Sequence, residues 1–188
     1  VIDPARVSAC LVTKGDHDLS EIHESIANAG ITDVVVWDNS QRPYDAMCYG
    51  RYAAVDEAKN DFIYIQDDDL VVPVEKILAA YRVREDRHVC MSNNRPDEGW
   101  PLNGIGSVFH RDLANCFQPY IAYYGETRDF YRISDVVFGY SNAYRKIWVG
   151  YRNLPWQTAP DRMHLQYDHY EVRDRARMRT LALPEKLP

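Results

Sequence analysis

The chain has 188 residues, 46% of them hydrophobic, which is enough for one substantial core and too few for two full-sized domains. Acids outnumber bases by 28 to 22, and the formal net charge of -6 argues against a general nucleic-acid binder. No run of 18 apolar residues occurs and no basic segment leads into an apolar one, so neither a membrane span nor a signal peptide is expected behind Val1.

From the N-terminus, Arg6 to Thr13 carries Val7, Ala9, Cys10, Leu11 and Val12 in a nearly continuous apolar run and reads as a buried strand. Thr13-Lys14-Gly15-Asp16 breaks it. Leu19, Ile22, Ile26 and Ala29 then recur at helical spacing, and Asn28-Ala29-Gly30 ends that helix on a glycine. Val34-Val35-Val36-Trp37 is a second strand that closes on Asp38-Asn39. Such a strand, helix, strand unit pairs its strands in parallel through a right-handed crossover. After a loop carrying Pro43, Met47 to Ala58 reads as a helix with Ala53, Ala54 and Ala58 facing inward.

That helix leads into Phe62-Ile63-Tyr64-Ile65-Gln66 and then Asp67-Asp68-Asp69. Two successive βαβ units place Thr13, Asp38 and Asp67 along one sheet edge, where open α/β sheets bind ligands and where polar side chains suit a nucleotide. Three adjacent carboxylates repel one another unless something neutralises them. For an all-oxygen cluster the usual partner is a hard divalent cation, Mg2+ or Mn2+. The plainer alternative is an acidic loop that caps the next helix.

Pro73 suits a first helical turn, and Val74, Ile77, Leu78 and Tyr81 form the apolar stripe of the helix it opens. His88 to Met91 reads as a short strand. Ser92 to Pro101 is a polar loop containing Asn93, Asn94, Arg95, Asp97, Glu98 and Trp100, of the kind that carries specificity. Asn103-Gly104-Ile105-Gly106 then precedes a strand at Ser107-Val108-Phe109. Its two glycines allow close backbone approach to a ligand, although a turn explains them as well. It is no phosphate loop, because the Walker lysine and hydroxyl are missing.

Arg111 to Tyr124 is expected to be helical with Leu113, Phe117, Tyr120 and Ile121 inward, interrupted or kinked by Pro119. In Phe130 to Gly139, Asp135 is a single acid in an apolar neighbourhood, and partial burial raises a carboxylate toward the range useful to a general base. Ser134-Asp135 reads equally as a helix N-cap. Pro155, Trp156, Pro160 and Asp161 suggest a loop, followed by Met163 to Tyr170 with His164 and His169. In Glu171 to Arg179, Arg173, Arg175, Arg177 and Arg179 would spread around the surface as a helix or line one face as a strand, and a solvated basic helix is the favoured reading over an anionic-acceptor site. Cys10, Cys48, Cys90 and Cys116 lie 38, 42 and 26 residues apart, without the close pairs of a zinc site, and a reducing, cytoplasmic setting is expected.

Val7 to Thr13, Val34 to Asp38, Gly50-Arg51-Tyr52-Ala53-Ala54 with Ala58, and Asp61 to Asp69 together resemble the nucleotide-binding half of a GT-A glycosyltransferase, closest to the family 2 type. The resemblance covers the first 75 residues well and the rest loosely. It implies that Asp67-Asp68-Asp69 is the DXD motif, with Asp69 on a metal that bridges the donor's diphosphate and Asp67 on ribose or metal. It further implies that Asp38 contacts base or ribose, that Thr13 lines the base pocket and that Arg51 lies near the nucleotide. The plain alternatives are a helix or turn cap for Asp38 and a surface arginine for Arg51. By the same resemblance Gly104 and Gly106 pass under the donor sugar, Asp135 at the start of a helix is the base if the enzyme inverts, a retaining enzyme needing none, and His164 or His169 returns to the metal. Two adjacent acids are common at the base position, where this chain has Ser134-Asp135.

The expected architecture is α/β, a three-layer α/β/α GT-A domain over 1–188 with a mixed, mainly parallel sheet. About 1–92 form the nucleotide-sugar half and about 93–188 the acceptor half. The expected activity is metal-dependent hexosyl or pentosyl transfer from a nucleoside-diphosphate sugar, with UDP the preferred carrier, to a hydroxyl acceptor. With little room for acceptor-recognition insertions, the acceptor is expected on a protein, nucleic acid or polysaccharide. Two competing readings are a sugar-phosphate nucleotidyltransferase, although Thr13-Lys14-Gly15-Asp16 is poor in the glycines and bases of such enzymes, and a noncatalytic nucleotide- or sugar-binding module.

Overall fold

The computed structural model describes residues 1–97, 99, 103–158 and 168–183. Among them the chain runs β1 (Val7–Thr13), α1 (Ser20–Asn28), β2 (Asp33–Asp38), α2 (Gly50–Ala53), β3 (Phe62–Gln66), β4 (Leu70–Val71), α3 (Val74–Ala80), β5 (Val89–Asn93), β6 (Ser107–His110), α4 (Phe117–Tyr124), α5 (Arg128–Ser141), β7 (Ala143–Ile147), β8 (Arg152–Asn153) and α6 (His169–Leu181). Six strands form one sheet in the order β2-β1-β3-β6-β5-β7. β2, β1, β3, β5 and β7 run in one direction and β6 in the other, so the sheet is mixed and mainly parallel. β4 and β8 pair antiparallel in a separate two-stranded ribbon.

Both faces of the sheet are covered. Along β1 the side chains alternate: Cys10 and Val12 join Trp37, Ile63, Ile65 and Phe109 on the face packed by α2, α4, α5 and α6. Ala9 and Leu11 join Phe62, Tyr64 and Val108 on the face packed by α1 and α3. Burial on both sides explains why β1 and β3 read as unbroken apolar runs. No helix among the described residues is long and apolar enough to cross a membrane.

Several expected elements change form. Met47 to Ala58 is not one helix. It is a 3-10 turn (Met47–Tyr49), the single turn of α2 and a second 3-10 turn (Ala54–Glu57). The segment is pressed onto β1 and β2, where a Cβ on Gly50 would lie 2.5 Å from Trp37 and 2.7 Å from Val12. It therefore buries Gly50, Arg51 and Tyr52 with Ala54 and Ala58, and leaves Ala53 half-buried.

Pro119 kinks nothing. A 3-10 stretch (Arg111–Cys116) precedes α4, and the proline falls in the first α-helical turn, where its missing N–H has no intrahelical partner to lose. α5 is capped by Thr127, whose hydroxyl accepts from the Phe130 N–H, so Ser134-Asp135 is not the helix cap. Ile133 departs from helical geometry (φ -121°, ψ 21°), and Asp135 begins the half of α5 that follows this kink. The arginine-bearing segment is indeed a helix, α6, that buries Val172, Ala176 and Thr180.

Candidate active site

Asp67 follows β3 directly, and β3 Gln66 pairs with β1 Leu11 while Thr13 pairs with Asp38, so the three polar strand ends share one edge. The acid turn is held by its main chain. Gln66 is fully buried; its amide donates to the Leu70 carbonyl (2.9 Å) and the Asp67 carbonyl (3.2 Å), and the Tyr64 hydroxyl fixes that amide from behind at 2.8 Å. From the far end of the chain, Leu154 N–H donates to the Asp69 carbonyl and Trp156 Nε1–H to the Asp68 carbonyl, both at 2.8 Å. Trp156 also stacks on His17 of the β1–α1 loop with ring centres 4.8 Å apart. With the carbonyls engaged in this way, the turn is rigid and its carboxylates are the groups that can do chemistry.

Arg51 is no surface arginine. It is wholly buried, with Nη2 2.6 Å from Asp67 Oδ1 and 3.7 Å from Asp135 Oδ2, and Nε donating to the Cys48 carbonyl. One guanidinium thus brings together the acid turn after β3 and the acid of α5. Burial works against the Arg51 charge, but Asp135 and Asp67 hold its pKa well above the usual value, so it is a permanent cation.

Asp135 Oδ1 accepts from the Tyr52 hydroxyl at 2.6 Å. Burial raises the Asp135 carboxyl above the usual aspartate range, while Arg51 and the Tyr52 hydrogen bond pull it back. Its side chain keeps 21% exposure, so one face remains reachable. Asn103 Nδ2 donates to the Asp135 carbonyl at 3.4 Å, and the Asp67 N–H donates to the Gly104 carbonyl at 2.7 Å. The 103–105 turn therefore touches both acids.

The two glycines of that turn do different things. A Cβ on Gly104 would sit 1.9 Å from Asp67 Oδ2, so only glycine leaves this carboxylate its position beside Arg51. Gly106 instead has a φ of +101° and would push a Cβ against Ile77 (2.9 Å), Val72 (3.0 Å) and Tyr64 (3.2 Å), away from the acids. Gly104→Ala should displace a movable carboxylate, lowering the metal-dependent nucleotide affinity that the sequence leads us to expect of this acid turn about tenfold, with about 1 kcal/mol lost in stability. Gly106→Ala should cost about 2–3 kcal/mol in a urea melt and leave the affinity of the folded protein near wild type. Calorimetric titration beside a urea melt of each variant checks the pair.

Thr13 and Asp38 lie level at the sheet edge. Thr13 Oγ1 accepts from the Gly15 N–H, and Asp38 Oδ1 accepts from the N–H and hydroxyl of Ser40, so in this structure Asp38 does cap the turn after β2. His169 opens α6 and its ring lies against Tyr170, while His164 lies outside the described residues, as do Glu98, Trp100, Pro101, Pro160, Asp161 and Met163 to Tyr167. Tyr52 and Asn103 join the site without any sequence expectation that they would. The one hint in the sequence is an arginine and a tyrosine beside the small inward residues of the Met47–Ala58 stretch.

A hard cation fits the acid turn by the chemistry of its donors, since Asp67 and Asp69 offer only oxygen and Gly104 leaves the Asp67 carboxylate its room beside Arg51. Among the described residues no group of three or more His, Cys, Asp or Glu is disposed to hold a metal ion. A Mg2+-like ion held by one or two carboxylates completes its shell with substrate phosphates and water.

Solved structures share this architecture. S. aureus TarS 1-349 in complex with UDP-GlcNAc superimposes with a TM-score of 0.62 at 15% identity, over 96% of this chain and 68% of that one. The chain spans 40% of the larger TarS structure. The catalytic domain of Drosophila beta1,4-galactosyltransferase 7 with xylobiose gives 0.53 at 14% identity, over 97% and 82%, and a mutant of that enzyme was solved with manganese, UDP-Gal and xylobiose. A glycosyltransferase involved in glycosylation of the PBCV-1 major capsid gives 0.51 at 12% identity, over 89% and 90%. No family model matches the sequence, and no curated protein does. The fold is GT-A.

Proposed function

From the GT-A fold we propose that this domain is a metal-dependent glycosyltransferase that moves a hexosyl or pentosyl group from a UDP-sugar to a hydroxyl acceptor with inversion at the anomeric carbon. The observation that carries the reading is Arg51, which gathers Asp67 and Asp135 into one site from opposite halves of the chain. Asp67 and Asp69 would hold Mn2+ or Mg2+, with Asp68 between them. A cation there supplies Lewis-acid stabilisation of the charge on the departing diphosphate.

Thr13 and Asp38, at the ends of β1 and β2, line the edge where base and ribose would lie, and Gly104 gives the donor sugar close access to the main chain. Asp135 takes the acceptor's proton. Its Oδ1 is occupied by Tyr52, whereas Oδ2 faces Arg51 at 3.7 Å and has two lone pairs, so it can take a proton beside a contact with the guanidinium, and Oδ2 is the receiving atom. A carboxylate positioned to deprotonate the acceptor suits direct in-line displacement.

All four cysteines are free, which suits a reducing cytoplasm. The acceptor hydroxyl is placed on a macromolecule, a protein, nucleic acid or polysaccharide. A free monosaccharide turned over as efficiently as any polymer would remove that part of the proposal.

The test is a thermal-shift screen of nucleotides and nucleotide sugars with and without Mn2+. UDP and UDP-sugars at 100 times Kd should stabilise by about 2.7 kcal/mol, and only with metal present. Stabilisation by a nucleotide alone, or by none of them, refutes the metal-dependent donor site. Release of UDP from a UDP-sugar then separates a transferase from a pure binder.

A further inference from the structure

Arg51 is shared unequally and is not saturated. Nη2 lies 2.6 Å from Asp67 but 3.7 Å from Asp135, and the buried Nη1 has no hydrogen-bond partner among the described residues. The Arg51 charge is therefore shared between two carboxylates inside the protein, where electrostatic interactions are strong, and Arg173 of α6 adds a weaker positive influence at Asp135. A cation bound by Asp67 and Asp69 would compete with the guanidinium for Asp67, whose side chain is 36% exposed and open to that competition. The guanidinium has somewhere to go, since the 3.7 Å separation from Asp135 can shorten and Nη1 brings a further donor.

We infer that Arg51 is a positioning residue that couples the two halves of the site: a cation and diphosphate taking Asp67 release Arg51 onto Asp135, so that loading the donor orients the carboxylate facing the acceptor. The inference rests on the donor and metal placement proposed above. Coupling of this kind is reciprocal in binding free energy. Whatever draws Arg51 toward Asp135 loosens its hold on Asp67 and strengthens donor binding, and whatever frees Arg51 from Asp135 weakens it.

The opposite signs make the test. Binding of UDP in the presence of Mg2+ is measured by isothermal titration calorimetry at one fixed pH for all variants. Tyr52→Phe removes the second donor on Asp135 without changing any charge, so Arg51 is drawn to Asp135 and affinity should rise about fivefold. Asp135→Asn leaves Arg51 to Asp67, and affinity should fall about fivefold. In the double variant the Tyr52→Phe gain should vanish, because it acts through the Asp135 charge.

Loss of a nearby anion weakens cation binding by itself, so the sign of the Tyr52→Phe effect decides. Damage to the fold would lower affinity, not raise it. Unchanged or weaker binding in Tyr52→Phe overturns the coupling and leaves the functional reading standing, since the wild type still binds UDP with metal. If Tyr52→Phe gives no cooperative melt, unchanged affinity in Asp135→Asn overturns the coupling instead. A wild type that binds UDP no better with Mg2+ than without it overturns both.

Discussion

On the proposed function, Asp69→Ala should abolish metal-dependent donor binding and lower sugar transfer about a thousandfold, while the thermal midpoint should stay within about 3 °C of wild type. The separation between function and fold follows from how Asp69 is used. Its main-chain carbonyl, which the substitution keeps, accepts the Leu154 N–H and anchors the returning segment beside the β4–β8 ribbon. Its carboxylate is nearly buried next to Asp67 and Asp68. The main-chain anchor of this segment is therefore independent of the side chain that the substitution removes. Asp69→Asn, of the same shape, should behave alike. The check is scanning fluorimetry with and without Mn2+ and UDP, alongside UDP release. A metal-dependent shift that survives in both variants removes Asp69 from the metal site.

How much of the site is legible in the sequence depends on the range of each contact. The triple acid stands out because it interrupts an apolar run, and the βαβ rhythm from Val7 to Gln66 is legible because burial on both faces keeps β1 and β3 continuously apolar. Gly104 and Asp135 stand out by family resemblance and by local composition. Their partners do not, because Tyr52 to Asp135 and Trp156 to Asp68 are contacts between distant parts of the chain that leave no periodic trace. Resemblance marks Arg51 as a basic residue near the nucleotide, yet only packing shows it buried between two acids.

The strands that the sequence hides follow the same logic. β4 and β8 have two residues each, too few for a pattern. β7 lies at the sheet edge with Arg145 and Lys146 exposed, a charged composition that protects an edge and hides a strand. The break in α5 at Ile133 carries neither proline nor glycine, so nothing local marks where its second half begins.

Asp135→Asn should lower kcat about a thousandfold, within the range that general base catalysis supplies, and raise the donor KM only about fivefold through Arg51. Asparagine keeps the shape and can still meet Tyr52 and Arg51, but it cannot take a proton. The pH dependence distinguishes this from a loss of packing. A base works deprotonated, so wild-type kcat rises with pH through the Asp135 pKa, and burial places that acid limb above the ordinary aspartate range. In Asp135→Asn the limb disappears and the residual rate is flat there. Tyr52→Phe removes a hydrogen bond that favours the ionised carboxylate, so its limb moves to higher pH while its plateau stays within about tenfold of wild type. An acid limb that remains in Asp135→Asn, or that fails to move in Tyr52→Phe, assigns the proton to another group.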